Sequence, residues 1–318
     1  MNALEIIGLS GLVPVCVIQD AADAVPTAKA LLQGEIGVME ITMRTEAGID
    51  SIRNVAQQCP EMLVGAGTVL TLDKCKESVE AGARFIVSPG FNEKIVDWCV
   101  KHQIPITPGC VTPTEIEGAL AYGIRTVKFF PANIYGGIKA CKALYGPYQS
   151  AGVSFIPTGG IDQSNLREYV DQPYIHAVGG GWLCNTKDVV NHRFDAIGQT
   201  AGEAVDLLLG FTVESCTLAE KEAGAIDAFK QKVSQIFHLS VEENQIAGSV
   251  IHEPGQSEQG QLVIRTHQIN RTLYYLHKRG LITQDTFEKI YPCRDKSCLL
   301  ADHVIDKTTI KLIQPAQL

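Results

Sequence analysis

From Leu12 to about Gly210 the chain alternates eight short apolar runs with amphipathic stretches of helical length, and few folds accept that rhythm. The runs are Val13–Ile18, Val38–Thr42, Leu63–Ala66, Phe85–Val87, Ile104–Ile106, Thr126–Phe129, Val153–Ile156 and Ile175–Val178. The stretches between them, such as Leu72–Gly82 and Asn92–Lys101, repeat apolar residues at three-to-four spacing after a Thr or Asn cap. Eight strands alternating with helices in about 200 residues predict a closed parallel (β/α)8 TIM barrel. A doubly wound open sheet uses the same alternation. The count of eight, and the lack of a Gly-x-Gly-x-x-Gly turn after the first run, favour the barrel.

Beyond Gly210 the rhythm changes. Strand-like Phe211–Leu218 leads into a helix from Glu220 to Phe237, then short strands Leu239–Glu242 and Ala247–His252. The turn-rich Pro254–Gly260 links these to strand Gln261–Thr266, helix Gln268–Arg279 and strands ending in Thr309–Ile313. The expected architecture is α/β, a barrel domain over residues 1–210 and a smaller α+β domain over 211–318. The second domain reads as two βαβββ-like modules of roughly 50 residues each, an internal duplication.

Composition narrows the function. Net charge is -8 with no Lys/Arg tract, which removes the electrostatic basis for nucleic-acid binding. The opening Met-Asn-Ala-Leu-Glu has no basic-then-apolar signal, and every apolar run is too short to span a membrane. Eight of the 10 cysteines sit singly in apolar elements, as small core hydrophobes of a reducing compartment do. Cys293 and Cys298 are spaced poorly for a metal knuckle, and no second pair follows. We expect a cytoplasmic protein with no metal and no cofactor.

Lys128 lies in Thr126-Val-Lys-Phe-Phe-Pro131, an apolar strand ending at a proline. An ammonium there is costly unless paired or deprotonated, and an amine of lowered basicity is what attack on a ketone needs. The other reading is an edge-strand lysine reaching water. In Val38-Met-Glu-Ile-Thr42-Met-Arg44, alternation puts Glu40 on the face of Val38 and Thr42, directed at the barrel interior. Glu40 and Arg44 are then either a pair that holds the rim or, with Glu40 facing Lys128, an acid/base group beside a nucleophile. The third run ends at Gly67-Thr68, and the fourth at Ser88-Pro89-Gly90. The last two end in Thr158-Gly159-Gly160 and Gly179-Gly180-Gly181-Trp182, adjacent glycine turns of the kind that hold a phosphate in such barrels.

Taken with Gly65–Val69, Thr107–Gly109, Thr112–Glu115, Val127–Ala132 and Gly146-Pro147, these segments resemble the class I 2-keto-3-deoxy-6-phosphogluconate/2-keto-4-hydroxyglutarate aldolases. The resemblance runs from about Leu9 to Leu209. It implies that Lys128 forms the imine with C2 of a keto acid substrate and that Glu40 shuttles protons. It also implies that Arg44 and Thr68 bind the pyruvate carboxylate, and that Phe130 packs beside the lysine. Thr158, Gly159, Gly160, Gly180 and Gly181 would line the site with Pro89, the glycine amides near the phosphate. The family is homotrimeric. Its usual Gly-Gly-Ser-Trp is here Gly179-Gly180-Gly181-Trp182, which makes the shorter, unphosphorylated hydroxyglutarate substrate more plausible. Rival readings are an aldolase for the phosphogalactonate epimer, a non-catalytic sugar-phosphate sensor, and a decarboxylase or epimerase on the same barrel. The C-terminal pattern resembles the vicinal-oxygen-chelate fold of glyoxalases without its metal-binding histidines. Without those histidines the expectation is a non-catalytic packing or oligomer-forming module.

Overall fold

A computed structural model describes residues 1–218, 223–242, 245–252, 260–305 and 308–314. They form two compact units, Met1–Leu207 and Leu208–Leu318. The expected linker over 254–259, Glu220 and Glu253 lie outside the described residues.

The first unit carries eight parallel strands: β1 (Leu12–Cys16), β2 (Val38–Thr42), β3 (Leu63–Gly67), β4 (Ile86–Val87), β5 (Ile106–Thr107), β6 (Thr126–Phe129), β7 (Ser154–Pro157) and β8 (Val178–Gly180). Six of them pair in the order β5-β4-β3-β2-β1-β8, and β6 pairs with β7. Single parallel bridges, Gly109 to Lys128 and Thr158 to Gly179, join the two sheets into a ring. Strands β4 and β5 are short because prolines 89, 105 and 108 flank them and cannot donate to a ladder. Helices follow where the caps forecast them. Thr71 Oγ1 accepts from Lys74 N at the start of Leu72–Glu80, and the Asn92 side chain accepts from Lys94 N and Ile95 N before Glu93–Lys101.

The end of the barrel away from the strand termini is apolar. Helix Ala3–Ser10 opens with a capping box between Asn2 and Glu5 and ends at Gly11 in the left-handed region. Its Ala3 and Ile7 join Val13, Val38, Leu63, Phe85 and Ile156 in one buried cluster. Because side chains alternate along a strand, this fixes which later residues also point inward. Residues 40 and 42 on β2 do, as do 65 and 67 on β3. Apolar packing thus plugs one end and leaves the other for polar chemistry.

Among the described residues, the second unit holds a seven-stranded mixed sheet of β9 (Thr212–Thr217), β10 (Val241–Glu242), β11 (Gln245–Ile246), β12 (Ser249–His252), β13 (Gly260–Arg265), β14 (Ser297–Ile305) and β15 (Thr308–Ile313). Its order is β10-β11-β12-β9-β13-β15-β14. The first half, β9, helix Ala223–Phe237, then β10 to β12, is a βαβββ unit whose last strand returns parallel to its first. The second half runs β13, helices Ile269–Lys278 and Gln284–Ile290, then β14 and β15, with β13 parallel to β15. Here two strands follow the helices. The nine-residue β14 shifts register against β15 between Leu300 and Val304. Among the described residues, no three His, Cys, Asp or Glu side chains converge on a possible metal position, and no helix is long and apolar enough to cross a membrane.

Candidate active site

Lys128 and Glu40 meet inside the barrel. Nζ and Oε1 are 3.3 Å apart, with side chains only 7% and 4% exposed. Each is placed by alternation: Glu40 is two residues past the buried Val38 on β2, and Lys128 is two past Thr126 on β6. Burying two charges is costly, and the attraction between them offsets that cost only if both stay in place. The strands therefore secure the pair through their ladders. Lys128 N donates to Pro108 O and its carbonyl accepts from Cys110 N, so this lysine sits at the seam that closes the ring.

Space for the carboxylate is made by what is missing beside it. A Cβ on Gly67 would lie 2.0 Å from Glu40 Oε1, and one on Gly179 would lie 2.2 Å from Thr158 Oγ1. Glu40, Lys128, Thr107, Thr158, Phe85 and Val87 surround an interior cavity of about 10 Å³, roughly the room for one water. Thr158 Oγ1 is buried, lines this cavity and has no partner among the described residues. The ring of Phe130 lies 5.3 Å from Lys128 Nζ.

Arg44 and Thr68 stand together on the rim, where Arg44 Nε donates to Thr68 Oγ1 over 3.2 Å. Arg44 does not join the cavity of Lys128 and Glu40. It borders a larger hollow of about 570 Å³ shared with Gln19, Thr45, Glu46 and Lys74. The backbone of Thr68 is left-handed, with φ 55°. Pro89 closes β4, and its carbonyl oxygen sits where a Cβ on Gly109 would fall.

The glycine turns lie on the same face. Gly159 and Gly160 have φ of 100° and 68°, and their N–H groups donate to no protein acceptor among the described residues. Gly180 is buried, and Gly181 is exposed with only Val15 O, at 3.9 Å, near a Cβ built on it. Thr107 was not singled out from sequence, because a threonine on a two-residue strand gives no pattern to read. Gly179 reads in sequence as a turn residue, and Gly67 as room for a ligand beside the Thr68 hydroxyl, whereas here each clears space for a side chain of the neighbouring strand. Their function is to vacate space, which only the neighbouring strand defines.

Comparison with known proteins follows the same segment. The model of the KDPG and KHG aldolases matches residues 4–200. The chain is similar to a 2-dehydro-3-deoxy-phosphogluconate aldolase of Treponema pallidum, 42% identical over 62% of this chain and 92% of the relative. A KHG/KDPG aldolase of Escherichia coli is 40% identical over 64% of this chain and 95% of the relative. Among solved structures, a KDPG aldolase of Legionella pneumophila, with pyruvate captured as a covalent carbinolamine, aligns with TM-score 0.62 and 36% identity, covering 64% of this chain and 98% of that one. With a buried lysine–glutamate pair in an eight-stranded ring, and a match over most of the first unit, the chain belongs to the KDPG and KHG aldolase family.

Proposed function

We propose that this aldolase reversibly cleaves 2-keto-3-deoxy-6-phosphogluconate to pyruvate and glyceraldehyde 3-phosphate, and 2-keto-4-hydroxyglutarate to pyruvate and glyoxylate, through an imine on Lys128. The observation that carries the reading is the 3.3 Å contact between Lys128 Nζ and Glu40 Oε1 in the barrel interior. Glu40 takes a proton from the Lys128 ammonium, and the freed amine attacks the C2 ketone. Glu40 returns that proton to the carbinolamine hydroxyl, which leaves as water and gives the protonated imine. The carboxylate next accepts the C4 hydroxyl proton while the C3–C4 electron pair moves into the imine, releasing the aldehyde and an enamine. Protonation of the enamine at C3 and hydrolysis free pyruvate and restore the ammonium.

Arg44 and Thr68 bind the pyruvate carboxylate, and Thr158 hydrogen-bonds the reacting centre from beneath. Gly159, Gly160, Gly180 and Gly181 receive the distal anion through backbone N–H groups, while Phe130 and Pro89 wall the site. The names of the relatives support both substrates. The open space at Gly181 favours a second emphasis: with no side-chain donor there, the short substrate is a strong competitor of the phosphorylated one. We place the protein in the cytoplasm as a homotrimer, to be checked by light scattering. Residues 211–318 are proposed as a non-catalytic module, since every residue named in the chemistry precedes them.

Borohydride added with pyruvate should reduce the imine and leave a pyruvyl-derived adduct on Lys128, located by peptide mass spectrometry. Lys128→Ala should show no adduct and no pyruvate release. Full activity in that variant would sink the imine mechanism.

A further inference from the structure

The turn that follows β7 is held from one side by the loop that follows β6. Ala132 N donates to Thr158 O over 2.8 Å, and Asn133 N donates to Gly159 O over 3.2 Å. These two bonds bring the exposed side chain of Asn133 against Gly160. A Cβ built on Gly160 would stand 2.4 Å from Asn133 Cγ and 2.6 Å from its Nδ2, so the carboxamide occupies the place a side chain there would take. Asn165 Nδ2 donates to Gly160 O over 3.0 Å, so that carbonyl already has a partner. The N–H groups of Gly159 and Gly160 are left without a protein acceptor among the described residues. The Asn133 carboxamide likewise has no hydrogen-bond partner among them.

We propose that Asn133 is a specificity-determining residue, its carboxamide donating to the distal anionic group of the substrate beside the Gly159 and Gly160 N–H groups. The inference rests on the aldolase reading above and deepens it. An anion received only by backbone donors gains a movable side-chain donor, which Gly181 does not supply because it carries no hydroxyl. A neutral carboxamide suits either a phosphate or a carboxylate, since it brings no charge that must be matched. Asn133 is held at the lip by its backbone bond to Gly159 O, so the contact requires only a rotamer adjustment at a site already built.

The test is steady-state kinetics of Asn133→Ala and Asn133→Asp with the phosphorylated and the short substrate, beside borohydride trapping of pyruvate alone. A hydrogen bond to a charged group implies that Asn133→Ala raises KM by roughly ten- to a hundredfold with kcat changed less than about threefold. Asn133→Asp should be worse still, because it sets a carboxylate against an anion, and worse for the dianionic phosphate than for the monoanionic carboxylate. A larger KM effect on one substrate than on the other in Asn133→Ala identifies which distal anion the residue serves. Pyruvate carries no distal anion, so its trapping on Lys128 reports the fold and the imine separately. Unchanged KM for both substrates would overturn the proposal, as would trapping lost in step with KM, which would make Asn133 a purely structural residue. Absence of trapping in the unaltered protein would instead refute the imine reading.

Discussion

Thr68 has a φ of 55°, a conformation that a β-branched residue adopts only where its surroundings compel it. Its hydroxyl accepts from Arg44 Nε, so the strained backbone presents an oriented oxygen on the rim. Replacing it with glycine separates the two effects. Relief of the left-handed backbone is worth about 1–2 kcal/mol, and glycine's extra freedom when unfolded costs about 0.5–1 kcal/mol. Thr68→Gly is therefore expected to unfold at the same or a higher urea concentration. Its kcat/KM should fall about tenfold or more through the lost hydroxyl. A variant both less stable and fully active would show that Thr68 serves packing and not the ligand. The residue scale also shows what sequence conveys and what it hides. Lys128 and Glu40 could be read because a charge inside an apolar strand is anomalous on its own. The left-handed turn at Thr68 could not, because nothing in Gly67-Thr68-Val69 distinguishes it from an extended strand end. Asn133 was invisible for another reason: it lies against Gly160, which is remote in the chain and near only in space.

Among the elements, strands with β-branched, alternating runs were placed within a residue or two: β2 and β6 coincide with their expected spans, and β3 exceeds its span by one residue. The last strand of the ring was less legible. The apolar run suggested Ile175–Val178, yet β8 is Val178–Gly180, and Ile175 makes only an isolated bridge to Phe155. Glycines read as turn formers, but here they extend the ladder with β1 because a side chain on Gly179 would strike Thr158. Helix Gln284–Ile290 was also missed. It is short and mostly polar, and Phe287 is its one buried residue, so it carries no apolar period. The geometry of the turn after β8 gives a further prediction. Residue 181 has no left-handed φ, and a Cβ there has no neighbour nearer than Val15 O at 3.9 Å. Gly181→Ser should therefore fold normally and add a hydroxyl donor to the cradle. We expect kcat/KM for the phosphorylated substrate to rise about tenfold, with little change for the short one. Equal gains on both would mean that residue 181 does not face the distal anion.

At the scale of the whole chain, the family match ends at residue 200 while a second unit continues to Leu318. The matched residues 4–200 lie inside the first unit and the relatives are covered over 92% and 95% of their length, so that unit should fold and act by itself. A chain ending at residue 210 is expected to trap pyruvate at the rate of the full protein, and a large loss would give the second unit a part in the chemistry. The cysteines make a prediction for both units. All 10 thiols are free, and only Cys293 is more than slightly exposed. Burial pushes the thiols of Cys110 and Cys141 in the first unit up to about 12, and those of Cys216 and Cys298 in the second up to about 12 and about 11. Their ordinary value is 9.0, so between that and about 11 the unfolded chain loses these protons while the folded chain keeps them. Folding stability is then fully present below pH 9 and falls as pH rises, by up to about 1.4 kcal/mol per pH unit for each thiol. Tyr169 and Tyr174 act in the same direction, since burial raises their phenols too. The urea midpoint should be lower at pH 10 than at pH 8, and Cys110→Ala should lessen the difference for the first unit. A midpoint that holds steady across that range would mean the buried thiols ionise as readily in the folded protein as outside it.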